Sequence, residues 1–155
     1  MSNDWRKLPV DQYAEDYLPP SDLIPQDPRS QAEVDQAVKS KVVQVRQALQ
    51  QGDLLTALRT ALEGYPYGEG VDEQKSQALT TVLSVLNSTK SNDIPAIVAG
   101  LDTTEQTTLM KYIYKGMENI PEGGTGNILL GWHEKLVEVA GTGCIVRVMT
   151  DNKRV

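Results

Sequence analysis

The stretch SQAEVDQAVKSKVVQVRQALQQGDLLTALRTALEG, residues 30–64, reads as two helices joined by a tight turn. Ser30-Gln31-Ala32-Glu33 is a capping box. The serine oxygen accepts from an orphan backbone N–H while Glu33 reaches back to the cap residue. Val34, Val38, Val42, Val45 and Leu49 follow at steps of three and four, which places them along one helical face. Gly52 supplies the left-handed residue that stops the helix. Asp53 then caps a second helix, Leu54 to Glu63, with Leu54, Leu55, Leu58 and Leu62 on one side.

Toward the C-terminus the helical period continues. Tyr65 to Gly70 is a loop by its proline and glycines, and a third helix is expected over Asp72 to Asn87, with Leu79, Val82, Leu83 and Leu86 inward. Asn92 and Asp93 open a short fourth helix that tolerates Pro95 in its first turn. Asp102-Thr103-Thr104-Glu105 resembles another capping box and starts a fifth helix through Leu109, Met110, Ile113, Tyr114 and Met117. Ile120 to Gly126 is a loop, after which Asn127 is expected to cap a sixth helix carrying Ile128, Leu129, Trp132, Leu136 and Val139, ended by Gly141. Cys144 to Met149 is rich in β-branched residues, but a lone strand would have no partner, so a final helix is expected. The fold class is all-α: a compact bundle of about six to seven helices paired as hairpins. A short α-solenoid is the extended version of this reading, because the turn residues Asp53 and Asp93 stand 40 positions apart.

Toward the N-terminus the pattern breaks. Five of the eight prolines lie in the first 28 residues, which rules out a regular helix there. Residues 1–35 carry eight acids against three bases, so nearly all of the net charge of −6 belongs to this end. We therefore divide the chain into an arm, residues 1–30, and a helical module, residues 31–155. Trp5, Leu8, Val10, Tyr13, Tyr17, Leu18, Leu23 and Ile24 recur among the charges of the arm. A purely solvating tail would lack them. They suit either packing on the arm's own domain or a linear segment that orders on a partner through aromatic anchors.

Composition bounds the function. The 155 residues suit one domain and a tail. The acidic balance disfavours nucleic acid, which needs clustered cations. One Cys, Cys144, excludes an internal disulfide, and one His, His133, excludes any site with two histidines of the chain. Phe is absent and aromatics are only 5%, so aliphatic side chains and Met must build the core. No segment approaches the length of a membrane span. Met1 to Lys7 shows no apolar run after its charges, so a cytosolic chain is expected rather than a secreted one.

The chemical motifs all fail. His133-Glu134 begins like the zinc-protease H-E-x-x-H, but the second histidine position is Val137. Cys144 reads as a buried structural thiol, and His133 as a capping or interface residue. Gly123-Gly124-Thr125-Gly126 precedes a helix without a phosphate-binding Lys-Ser/Thr, and the acids show no calcium-loop spacing. No cofactor or metal is implied and no enzyme is expected. Lys111-Tyr112-Ile113-Tyr114-Lys115 is the most unusual local sequence: Lys111, Tyr114 and Lys115 share a helical face suited to a protein partner, while Ile113 points to the core. Trp132 suits the core, and His133 and Lys135 an interface.

Three runs, Leu109 to Gly116, Leu129 to Lys135 and Ile145 to Val148, resemble the signature of subunit 5, the smallest subunit, of the actin-related protein 2/3 complex. Arg6-Lys7, Val10 to Tyr13, Glu15-Asp16, Gly52-Asp53 with Ala57, Leu58, Ala61 and Leu62, and Asn92 to Ile94 match as well. Departures fall at Leu18 to Pro28 and at Tyr65 to Gly70. The resemblance implies a non-catalytic helical subunit of a seven-subunit assembly that nucleates branched actin filaments, in the cytoplasm and its cortical actin structures. It implies a module docked on the WD-repeat propeller subunit and a neighbouring core subunit, and an arm that tethers the actin-related protein 2 subunit. Arg6, Lys7, Val10, Asp11, Tyr13 and Asp16 would then contact that subunit. Lys111, Tyr112, Tyr114, Lys115 and His133 would serve the docking side. The rival reading from another class is a free-standing helical adaptor for peptide ligands.

Overall fold

Helix α1, Gln31–Gln51, begins where its cap chemistry dictates. The Ser30 hydroxyl accepts from the Glu33 N–H, and the Glu33 carboxylate accepts from the Ser30 N–H at 2.8 Å. At the other end Gly52 takes φ 77° and its N–H returns to the carbonyls of Ala48 and Leu49. Asp53 accepts from the Thr56 N–H at 3.0 Å and opens α2, Leu54–Leu62. Two residues thus turn the chain back on itself, and α1 and α2 pack as a hairpin.

This computed structural model describes residues 23–118 and 125–155. The described residues form seven helices and no strand. The remaining five are α3 (Asp72–Ser88), α4 (Ile94–Ala99), α5 (Thr103–Glu118), α6 (Thr125–Ala140) and α7 (Gly143–Thr150). Pro95 sits in the first turn of α4, as its missing donor requires. The second capping box is complete: Asp102 Oδ1 accepts from the Glu105 N–H at 2.7 Å, and Glu105 Oε2 from the Asp102 N–H at 2.8 Å. The stretch from Cys144 to Met149 is helical, packed on α5 and α6.

Some expected details shift. The buried face of α1 is Val34, Val38, Val45 and Ala48, with Val42 and Leu49 half-buried. In α2 the face is Ala57, Leu58, Ala61 and Leu62, rotated toward the C-terminal side of the expected stripe. Helix α6 starts at Thr125, so Asn127 lies inside its first turn and does not cap it. Asp93 makes no side-chain cap bond, unlike Asp53, so the two turns 40 residues apart differ in their chemistry.

Helix α1 packs on α2 and α3, α4 lies on α6, and α5 touches α2, α3, α6 and α7. The centre of the module is therefore α5, with Leu109, Met110, Tyr112 and Ile113 fully buried. Trp132 and Tyr112 are the largest side chains sealed in the core, and its other fully buried hydrophobic members are aliphatic apart from Met110 and Cys144. Trp132 Nε1–H donates to the Leu86 carbonyl at 3.3 Å, so the indole brings its polar atom inside with a partner. Each fully buried Leu, Ile or Met of this core contributes about 2 kcal/mol of transfer free energy. Val34, Val38 and Val71 form a separate small cluster where α1 meets the start of α3.

Candidate interaction surfaces

The helix that carries the unusual Lys-Tyr-Ile-Tyr-Lys run is packed on several sides, and this decides which of its residues face outward. Tyr112 is 1% exposed, its ring inside the core. Its hydroxyl finds no hydrogen-bond partner among the described residues. Burial, with a smaller contribution from Tyr65, pushes its pKa upward. Lys111 is only 6% exposed. Its ammonium donates to Asp151 Oδ2 at 2.7 Å, to the Lys153 carbonyl at 2.8 Å and to the Tyr65 hydroxyl at 3.0 Å. It also stands 5.1 Å from the centre of the Tyr65 ring.

Lys111 and Tyr112 are thus built into the module instead of facing a partner. Helical spacing puts Lys111 with Tyr114 and Lys115, but the C-terminal residues fold across that part of the face. The Val155 side chain completes the cover by joining the core. Burial tends to raise the Asp151 carboxyl, but the Lys111 hydrogen bond, the Lys153 N–H and both lysine charges outweigh it and hold it below its usual range. Sequence reasoning missed this clasp, because Asp151 to Arg154 look like any solvated polar end.

The other three candidates stay accessible. The Tyr114 hydroxyl and His133 Nε2 lie 3.2 Å apart, with the rings edge-on at 5.6 Å between centres, so the pair bridges α5 and α6. Lys115 pairs with Glu118 at 2.6 Å on its own helix. Beside them Tyr114, Val148 and Met149 line a groove of about 520 Å³ whose rim carries Lys115 and Arg154. Met149 is 79% exposed and Val146, one turn away on α7, is exposed too. Lys135 pairs with Glu138 at 2.9 Å along α6.

No catalytic grouping assembles among these residues. Cys144 is buried and its thiol points at the Gln106 carbonyl at 3.5 Å. Burial raises its pKa despite the opposing charge of Arg147. His133 has Tyr114 as its partner, so the cysteine and the histidine serve different contacts. Among the described residues no three His, Cys, Asp or Glu side chains converge on a metal-sized site. No described helix is long and apolar enough to cross a membrane. The arm candidates Arg6, Lys7, Val10, Asp11, Tyr13 and Asp16 lie outside the described residues, as does the loop from Ile120 to Gly124.

The described end of the arm has its own contacts. Asp27 receives Arg29 Nε–H at 2.8 Å, Nη2–H at 2.5 Å and the Arg29 backbone N–H at 3.1 Å. Arg29 also donates to the carbonyls of Gly64 and Tyr65, each at 3.2 Å. Lys41 of α1 donates to the carbonyl of Glu63 and, at 3.1 Å, to that of Gly64. Two cations therefore satisfy the carbonyls at the C-terminal end of α2, where the helix dipole is negative. The Arg29 hydrogen bonds, the largest influence, hold the Asp27 carboxyl below its ordinary range against the effect of burial. Burial, then the neighbouring Arg29 charge, lowers the pKa of Lys41.

Comparison with known proteins covers arm and module together. The family described as "ARP2/3 complex 16 kDa subunit (p16-Arc)" matches residues 4–155. Actin-related protein 2/3 complex subunit 5-B of Xenopus laevis is 39% identical over 160 residues, spanning 100% of this chain and 97% of its own length. Subunit 5 of the same complex from Saccharomyces cerevisiae is 30% identical over 158 residues and 100% of each chain. The human subunit 5-like protein is 43% identical over 107 residues, 69% of each chain.

Proposed function

The chain belongs to the ARP2/3 complex 16 kDa subunit family, non-catalytic structural subunits of a multi-subunit actin-nucleating complex, and from that membership we propose how its two parts divide the work. The helical module docks on the WD-repeat propeller subunit and a neighbouring core subunit. The N-terminal arm tethers actin-related protein 2, through Arg6, Lys7, Val10, Asp11, Tyr13 and Asp16. The protein works in the cytoplasm, at cortical actin structures.

The observation that carries this reading is the extent of the match, which covers the arm and the module together. The chemistry of the parts supports it. An acidic, proline-broken segment with spaced aromatic and aliphatic anchors suits a partner-ordered strand. About 30 extended residues reach on the order of 100 Å. Such a linker raises the local concentration of its partner without strong contacts at each step. On the module, the docking candidates that reach the surface are the exposed Tyr114 and the half-buried Lys115 and His133, with the apolar side chains of α7 beside Tyr114 and Lys115.

The test is deletion of residues 1–22 in the assembled complex. The truncated chain is expected to co-purify with the core subunits while actin-related protein 2 is lost more readily on salt washing and branching falls. Full retention with normal branching would falsify the tether. Elution of the native chain alone at monomer size would favour the free adaptor.

A further inference from the structure

We infer that Pro25 to Arg29 form a fixed root for the arm, clamped on the connection between α2 and α3, so that the free tether starts near residue 24 and not at residue 30. This inference rests on the tether reading above. It concerns where the tether is anchored and what holds it.

Three independent contacts make the clamp. The first is the Asp27–Arg29 fork. The Asp27 side chain is only 6% exposed and takes three hydrogen bonds from Arg29. A carboxylate so placed is stable only when paired, and the pairing fixes the guanidinium plane. The remaining Arg29 donors then point at the carbonyls of Gly64 and Tyr65. The fork thus links the arm to the end of α2, through groups that need partners in any case.

The second contact is backbone against backbone. Gly68 has φ +88°, and a Cβ there would lie 3.2 Å from the Asp27 nitrogen and 3.3 Å from the Pro25 carbonyl. Neither atom can yield as a flexible side chain would. The loop and the arm therefore meet backbone to backbone, where a Cβ would be tight and the positive φ favours glycine. The third contact is covalent continuity with the Ser30 capping box, one residue beyond Arg29. Pro25 and Pro28 stiffen the segment between these contacts, which lowers the entropy lost on holding it.

The partner loop is itself held from the far side. Lys153 stands over the Tyr67 ring at 4.9 Å, and Lys111 contacts Tyr65. The root therefore rests on a loop tied to α5 and to the C-terminal end.

A tether's effective concentration depends on its free length and its point of exit. Clamping these five residues removes about 17 Å of slack from its reach. It also shields the first turn of α1 from load, because tension meets the Arg29 fork before it reaches Ser30. Without the clamp that turn would be the first to fray.

The test compares three variants in the assembled complex: full-length Arg29→Ala and Asp27→Asn, and deletion of residues 1–22. Two quantities are read: amide exchange over residues 25–36, and retention of actin-related protein 2 on salt washing. Arg29→Ala is expected to speed exchange over 25–36 by about tenfold or more, with the rest of the module unchanged, since it removes charged hydrogen bonds. Retention is expected to fall part of the way toward that of the deletion. Asp27→Asn, which keeps the shape and removes the charge, should follow in the same direction. If the deletion lowers retention while both point variants leave it at the wild-type level, the tether stands and the clamp is overturned. Unchanged exchange over 25–36 in the point variants also overturns the clamp. If no variant, including the deletion, changes retention, the tether reading fails and the role of the clamp fails with it.

Discussion

The two ends of the described chain fasten to the same loop by the same chemistry with the buried partner exchanged. On one side Arg29 reaches the Gly64 and Tyr65 carbonyls from a side chain that is one-third exposed. On the other, Lys111 is buried and gathers Asp151, the Lys153 carbonyl and the Tyr65 hydroxyl. Both clasps are a cation, a carboxylate and backbone oxygens. They differ in which partner is buried, the Asp27 carboxylate in one and the Lys111 ammonium in the other, while the opposite partner in each is about one-third exposed. In each clasp an ionised group left alone in the interior is costly, so the damaging change is the one that removes the partner of the buried group.

The sharpest way to break this comparison is Asp151→Asn. It leaves the Lys111 ammonium inside with weakened compensation. Asp151 is 35% exposed, so water screens part of the loss, and about 2 kcal/mol is expected, below the range for a fully buried pair. The drop appears as a lower Tm in thermal melts. Lys111→Met, which removes the charge and keeps the apolar stem, should cost less than Asp151→Asn. The reverse order would show that the clasp acts through its hydrogen bonds to the loop more than through burial of charge.

Next in size is Arg29→Ala, expected to cost about 1 kcal/mol in the same melts. A loss equal to that of Asp151→Asn would erase the distinction between the clasps. Acid treats the two alike. The Asp27 and Asp151 carboxyls are both held below their ordinary range in the folded state. Their contribution is therefore whole above the usual carboxylate pKa of about 4 and is lost as pH falls through the lower folded-state values. The double variant Asp27→Asn with Asp151→Asn should lose less stability than the wild type between about pH 4 and pH 2. The smallest effect belongs to Glu118→Gln, which breaks the exposed pair with Lys115. About 0.3 kcal/mol is expected, and it should vanish in high salt.

Local chemistry was legible where it is written in neighbouring residues. Ser30 with Glu33, Gly52 with Asp53, and Asp102 with Glu105 mark helix ends in the sequence, and each makes the predicted bonds. Trp132 and Cys144 are buried as their apolar surroundings suggest. What was not legible depends on distant chain. The spacing of Lys111 to Tyr114 and Lys115 is right for a shared face, but nothing near residue 111 reveals that residues 151–155 cover part of it. Asn127 has the right chemistry for a cap, and the chain simply begins its helix two residues earlier. The fork between Asp27 and Arg29 spans two positions without any period, so no pattern search finds it. Pro25 to Asp27 and the loop residue Gly68 are far apart in sequence, yet the structure sets them against each other. A change in one is felt by the other.

The Tyr112 hydroxyl has a consequence for engineering. It is sealed in the core with no partner among the described residues, so it has been stripped of water for no bond in return. The sequence holds no phenylalanine anywhere, and this is the position where that ring fits as it stands. Tyrosine and phenylalanine codons differ at a single base. One transversion is therefore expected to raise the Tm of the module while leaving every hydrogen bond among the described residues in place.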